Sequence, residues 1–494
     1  MFWFLKKGTN ENKNSTSKVE LDKSLKRNID KVHQLFSKDI NADFISRSVE
    51  NKNSGLKGQL FFYQSITDVK RLEREVIKPL LENEMERIES NLYIDSLKKI
   101  DDFDELVDSV NSGKVILLVD DQEYGLELDL TNYEHRAIEK AENEILVKGP
   151  KEAFTESLST NLSLIRKNIH DKDLISEKVI LGERSKNALG ILYIKDLVNE
   201  DILQNVKDRI STIKDDNVRN LELLEQHIED NPNSIMPTIL YTERPDRASW
   251  YLEDGYIVLL MDNSSACLIL PVTFWAFLQN PEDYYLRFMF GNFSRIIRLI
   301  SFFITIFVSA IYVAVTNYHS EMIPPDLLFA IAASRERVPF PIFFEILMME
   351  LAFEIIREAG LRIPSPLGPT IGIVGALILG QAAVEANIVS PIVVIIAALS
   401  GLSSFALSDV SINYAMRISR FLFIVSAAVF GFFGLCGAFL LWTIYLTSIR
   451  SFGVPYLAIL PISKRSSKGT MFRRSVKSEK WRPLYLNPKD STKK

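Results

Sequence analysis

PIFFEILMMELAFEIIREAG, residues 341–360, reads as a membrane-grade helix that carries acid: Glu345, Glu350, Glu354 and Glu358 all fall within it. Glu350, Glu354 and Glu358 follow at i, i+4 and i+8, so they share one helix face, and Glu345 is offset toward another. The opposite side is Phe, Ile, Leu and Met. Burying an unpaired charge is costly, so this helix cannot be surrounded by lipid with its carboxylates ionised. Three arrangements satisfy it. It lines a water-filled pore, it pairs internally with a residue such as Arg357 or Arg362, or it lies along a membrane surface with its apolar face down. Gln381 and Glu385, one turn apart in a second apolar segment, add another polar pair. Together Glu350, Glu354, Glu358, Gln381 and Glu385 read as a candidate ion path. Repeated around a symmetric ring, such carboxylates attract cations and exclude anions. A surface helix on anionic lipid favours Lys or Arg on its polar face, and here acids dominate.

The rest of the chain divides around this stretch. Its 494 residues allow roughly two to four domains. The formal charge of -5 hides a polar, charged first half, an apolar run from about residue 295 to 462, and a strongly basic tail over 463–494. Nothing in this balance calls for a nucleic-acid partner. Cys267 and Cys436 stand apart in apolar surroundings and point to neither a disulfide scaffold nor a thiolate metal site. The opening MFWFLKK has its lysines after a short apolar start, unlike a signal peptide. Residues 1–34, rich in Lys, Asn and Ser, are expected to be disordered.

The polar half contains an apparent duplication. LFFYQSITDVKRLEREVIKPLLE from Leu60 and ILYIKDLVNEDILQNVKDRISTI from Ile191 each run from a buried strand into a helix. SGKVILLVDD, ending at Asp121, and DGYIVLLMDN, ending at Asn263, each read as a buried strand between sharp turns. The expectation is two small α/β subdomains, within 35–150 and 151–294, the second preceded by a helical linker. Gly149 and Pro150 make a turn in that linker; by charge alone Arg166 and Lys167 would be solvated, but Gly149, Pro150 and Arg166 are taken as candidate assembly residues. Asp120 and Asp262 at the strand ends read as turn or cap residues. There is no Gly-rich phosphate loop, no H-E-x-x-H and no G-x-S-x-G, and the five histidines are scattered. No catalytic, cofactor or metal site is assigned, and the chain is not expected to be an enzyme.

The apolar half, 295–462, is expected to hold four to six membrane elements. IIRLISFFITIFVSAIYVAV, residues 296–315, is the clearest span, and Arg287, Arg295 and Arg298 at its start place the first half on the cytoplasmic side. Further apolar segments cover about 340–359, 367–386, 388–408 and 419–446. No site is assigned to 390–408. If all five segments cross, the basic tail ends outside, against the same charge rule. The glutamate helix is then the candidate exception, unless residues 451–462 help the chain back across. Gly368, Gly372, Ala376 and Gly380 form a small-residue face suited to close helix packing. Pro364, Pro366 and Pro369 break the helix before it.

At this point a resemblance enters. MMELAFEIIREAGLRIPSPLGPTIGIVGALILGQAAVEANIVSPIVVIIAALSGLSSFALSD, residues 348–409, resembles the signature block of the GerA family, the A subunits of bacterial spore germinant receptors. GPKEAFTESLSTNLSLIRKNI resembles the family's linker block, with Gly149, Pro150, Phe154, Glu156, Asn161 and Arg166 in pattern. ILYIKDLV (191–198) and RPDRASWYLEDGYIVLLMDN (244–263) also fit, and the likeness runs from about 40 to 460. FFYQSITD in the first copy departs from the tidier strand of the second. The resemblance implies an α+β multidomain membrane protein of the spore inner membrane, multi-pass, with its N-terminal domain on the core side. It implies a transporter-like B subunit that binds the germinant and a lipoprotein C subunit as partners. It also implies a homo-oligomer, expected to be a pentamer, that forms a germinant-gated channel for monovalent cations. The alternative is a non-conducting scaffold that couples germinant binding to a separate channel.

Overall fold

A computed structural model of the chain describes residues 19–51, 55–82, 97–133, 146–362, 378–458 and 471–493, with Leu92, Ile94 and Glu144 besides. The first half folds as two five-stranded antiparallel sheets of identical strand order. In the first, β1 (Phe44–Glu50), β2 (Lys57–Tyr63), β3 (Leu97–Ile100), β4 (Val115–Val119) and β5 (Gly125–Leu128) are arranged β1-β2-β4-β5-β3. In the second, β6 (Leu174–Leu181), β7 (Asn187–Ile194), β8 (Leu240–Thr242), β9 (Ile257–Met261) and β10 (Cys267–Leu270) are arranged β6-β7-β9-β10-β8.

The duplication extends to single turns. Gly113 and Gly255, which enter the central strands, have φ of +88° and +89°. Asp121 and Asn263, which leave them, have φ of +64° and +63°. Asp and Asn tolerate this left-handed region better than most residues, which suits them to tight hairpins. One residue earlier, Asp120 and Asp262 each accept a helix-starting N–H. Leu25 donates to the first at 3.3 Å and Leu158 to the second at 2.8 Å. The helices they receive are α1 (Leu25–Leu35) and, taking α2 as Phe103–Asn111, α3 (Leu158–Asn168). Each opens its own copy of the repeat.

Two corrections to the sequence reading follow. Residues 19–34, expected to be disordered, include most of α1, whose Val32 is fully buried beside Phe36 under the first sheet. The stretch taken as a helical linker is the first helix of the second copy. Arg166 on α3 is therefore not solvated. It is 1% exposed, reaches back to Asp43 at 3.1 Å, lies 3.8 Å over the Tyr63 ring and donates to the Leu174 carbonyl at 2.9 Å. Ala42 N–H donates to the Ser176 carbonyl alongside, and together these contacts join the two subdomains.

The second half is helical: α7 (Phe288–Tyr318), α8 (Pro325–Arg335), α9 (Ile342–Arg362), α10 (Pro391–Phe405) and α11 (Val410–Ser448), after α4 (Glu200–Thr212), α5 (Leu221–Ile228) and α6 (Pro245–Leu252) of the second subdomain. Two of these, α7 and α11, are long and apolar enough to cross a membrane. But α11 is not one rod. Phe423 and Trp442 are 19 residues apart, about 28 Å along a straight helix, yet their rings are 6.1 Å apart. The chain folds back at Gly431, whose φ 59°, ψ -139° is open only to glycine. A Cβ there would stand 3.0 Å from the Tyr318 side chain. Tyr318 caps the break by donating to the carbonyls of Ala428 and Val429 at 2.7 and 3.0 Å. Gly434 lets the arms touch, since a Cβ on it would collide with the Ser426 carbonyl oxygen.

The hairpin turns one apolar segment into two antiparallel arms. The segment read as a single run over 419–446 goes out and returns. Phe307 of α7 meets Phe423 on the first arm and Phe439 on the second. Both ends of α11 therefore lie beside the two-sheet half. Phe452 N–H donates to Asp230 at 2.6 Å, and Tyr445 accepts from Ile235 N–H at 3.0 Å. The basic tail follows on the same side, with Lys489 2.7 Å from Glu200 and Lys493 2.6 Å from buried Asp254.

Candidate functional site

The glutamates of α9 are met by arginines from the first arm of α11. Spacing of four residues puts Glu350 and Glu354 on one face, and spacing of three does the same for Arg417 and Arg420. Arg420 Nη1 lies 2.7 Å from Glu350 and its Nη2 2.6 Å from Glu354. Arg417 closes on Glu354 through both Nε and Nη2, in the bidentate manner a planar guanidinium allows. Arg357 stands 3.9 Å from Glu354 and donates to Ser404 at 2.9 Å. Glu350, fully buried, also takes the hydroxyl of Ser309 on α7 at 2.5 Å. Ser400 on α10 accepts from Arg420 at 2.8 Å. Four helices thus meet at a buried polar node, with two carboxylates set among three guanidiniums.

A second node lies one to two turns earlier on α9. Glu345, fully buried, pairs with Arg335 of α8 at 3.0 Å and accepts the Ser390 N–H that opens α10 at 2.9 Å. These two nodes show that α9 and α10 run parallel. Glu345 meets Ser390 at one end, and Arg357 meets Gly401 and Ser404 at the other.

The proposed ion-path residues therefore separate into two groups. Glu350 and Glu354 are engaged within the chain, in line with internal pairing. Their principal partners come from α11 rather than from α9 itself. Glu358, Gln381 and Glu385 are exposed on the chain's surface. Among the helix-packing residues, Gly380 is buried against α10, where a Cβ would stand 3.3 Å from Val394. Gly368, Gly372 and Ala376 lie outside the described residues. Gly149, at φ +127°, packs on the Tyr285 ring, and the Pro150 carbonyl accepts from buried Arg244 at 2.7 Å. Arg417, Arg420, Ser309 and Ser400 were not singled out from the sequence. Two arginines three residues apart at the edge of an apolar run were the available signal, since such residues demand a partner in lipid.

Comparison with known proteins gives the family. The family model described as Bacillus/Clostridium GerA spore germination protein matches residues 30–485. Spore germination protein KA of Bacillus subtilis (strain 168) is 37% identical over 443 residues, covering 88% of this chain and 81% of that one. Spore germination protein GerLA of Bacillus cereus is 34% identical over 459 residues, covering 91% and 93%. Among solved structures, the N-terminal domain of the A subunit of the Bacillus megaterium spore germinant receptor GerK3 aligns at a TM-score of 0.40 and 23% identity, over 52% of this chain and 98% of that one. The chain is a member of the GerA spore germination family.

Proposed function

We propose that this chain is the A subunit of a germinant receptor in the spore inner membrane, and that copies of it assemble, as a pentamer, around a path for monovalent cations. The observation that carries this reading is the exposure of Gln381 and Glu385, and of Glu358 toward the end of α9, in a largely apolar half. Ionised carboxylates on a lipid-facing surface are expensive, so these positions face water or a neighbouring copy. A ring of copies would line up their acids where cations pass. Glu350 and Glu354 stand behind that face, holding α9 against α11. In this reading α7, α9, α10 and both arms of α11 are membrane elements. The two-sheet half and the basic tail share the core side. A B subunit binds the germinant and a C subunit completes the receptor. Germinant binding opens the path only to the extent that it favours the open form over the closed one.

The second reading is a non-conducting scaffold. It is favoured by the internal pairing of Glu350 and Glu354, which need no pore to satisfy them. Cation flux into liposomes carrying the protein, with and without its B and C partners, separates the two. Flux that falls when Glu358 and Glu385 become Gln, in protein that still assembles, supports conduction. Absence of flux in every verified assembly supports the scaffold.

A further inference from the structure

Where α7 leaves the second subdomain, buried Arg295 and Arg298 share the buried carboxylate of Asp283, and buried Arg473 lies beside them. Arg295 Nε lies 2.9 Å from Asp283, and Arg298 holds both of its oxygens at 2.9 and 3.0 Å. Arg473 from the tail donates to the Leu286 carbonyl, at 3.1 Å. Arg473 is 5% exposed, and among the described residues its Nε and Nη1 have no hydrogen-bond partner, nor does Nη2 of Arg295. Glu479, the next acid along the tail, lies 3.7 Å from Lys493. A buried guanidinium with unmet donors is a standing cost, and an anion relieves it. Burial, joined by the neighbouring Arg295 charge, lowers the Arg473 pKa against the opposing pull of Asp283 and Glu479.

The surroundings indicate which anion. Tail residues 471–473 are tied to the first two turns of α7. Arg473 N–H donates to Asn292 at 2.9 Å, and its guanidinium lies 5.8 Å from the Phe288 ring. Beside this seam Met289, Phe290, Phe293 and Phe472 are 76%, 56%, 56% and 52% exposed. An aromatic and methionine rim next to under-neutralised arginines matches a molecule with an anionic head and apolar chains. A water-soluble anion would have no use for the rim. We propose that the base of α7 binds one anionic phospholipid, its phosphate on Arg473 and Arg295 and its acyl chains along Phe288, Met289 and Phe293. This rests on the reading that α7 enters a membrane here. The lipid displaces no protein partner of Arg473 Nε and Nη1, and it ties the tail to the membrane helix.

The test uses the full-length protein, delipidated in detergent and offered an equimolar mixture of phosphatidylglycerol and phosphatidylcholine. Native mass spectrometry reads the lipid retained per chain. An added charge contact near the surface favours the anionic lipid by about fivefold. Retention at that bias, falling toward parity in Arg473→Gln while the melting temperature holds, supports the site. Parity in the wild-type protein overturns it whether or not the variant folds. Equal stabilisation by inorganic phosphate alone overturns the lipid assignment in favour of a free-anion site. Resistance of the chain to alkaline extraction from membranes checks the membrane reading separately.

Discussion

Replacing Arg420 with Met should be among the most damaging single changes in the helical half. The side chain is 1% exposed and serves Glu350, Glu354 and Ser400 together. Without it, fully buried Glu350 loses its guanidinium and keeps only neutral hydroxyls, Ser309 and Ser400, among the described residues. Leaving a buried charge unpaired costs about 3–5 kcal/mol. For a cooperative unit the size of the helical half, each kcal/mol lowers the melting temperature by about 2–4 °C, so a drop of about 10 °C is expected. Glu354 suffers less, because Arg417 still holds it. Combining Arg420→Met with Glu350→Gln removes both charges and should recover at least half of the loss. Fluorescence-detected size-exclusion chromatography after graded heating of the detergent-solubilised protein measures all three. A single variant that melts within about 2 °C of wild type, or a double variant no better than the single, would refute the reasoning that the pair is buried and mutually dependent.

Gly431→Ala forces a Cβ into a glycine-only conformation and to 3.0 Å from Tyr318, so the yield of monodisperse protein should fall sharply, whereas Gly437→Ala, with open space around it, should not change it. Burial, reinforced by Glu229 and Asp409, pushes Glu225 up to about 8. A carboxyl whose folded pKa is raised favours folding when protonated, so its contribution is full below the ordinary value of 4.5 and is lost as pH rises through 8. The melting temperature of the two-sheet half should therefore fall between about pH 5 and 9, and Glu225→Gln should flatten that fall. An unchanged slope in the variant would show that Glu225 ionises freely.

The duplication was legible because its markers are local. A glycine before a run of buried residues and an Asp or Asn after it fix a strand and its turns within ten positions, and both copies obey. The arginine partners of α9 were not legible in the same way. Arg417 and Arg420 lie 63 and 66 residues from Glu354, and nothing local says which apolar segments pack side by side. Gly431 was hidden by composition. Apolar residues surround it without Pro or polar punctuation, so the two arms read as one run. Arg166 was singled out for assembly, but its partner was not legible, because it stands beside a lysine in a polar stretch. Its partner Asp43 is 123 residues earlier, and only the folding of one copy against the other brings them together.

Phe452 has a consequence for how the protein is made. It is 2% exposed and sits among the core side chains of the second subdomain, while Ser451 donates to the Thr238 carbonyl at 2.7 Å and accepts from Val272 N–H at 3.2 Å. That core is therefore completed by residues the ribosome reaches only after α11. During synthesis the first subdomain holds its own core side chains and can close early. The second must wait for the helical half to be inserted and for the chain to return. A chain stopped anywhere before residue 451 leaves the second subdomain missing a piece of its interior, so quality control acting on that subdomain would also read whether the helices that follow it have been assembled.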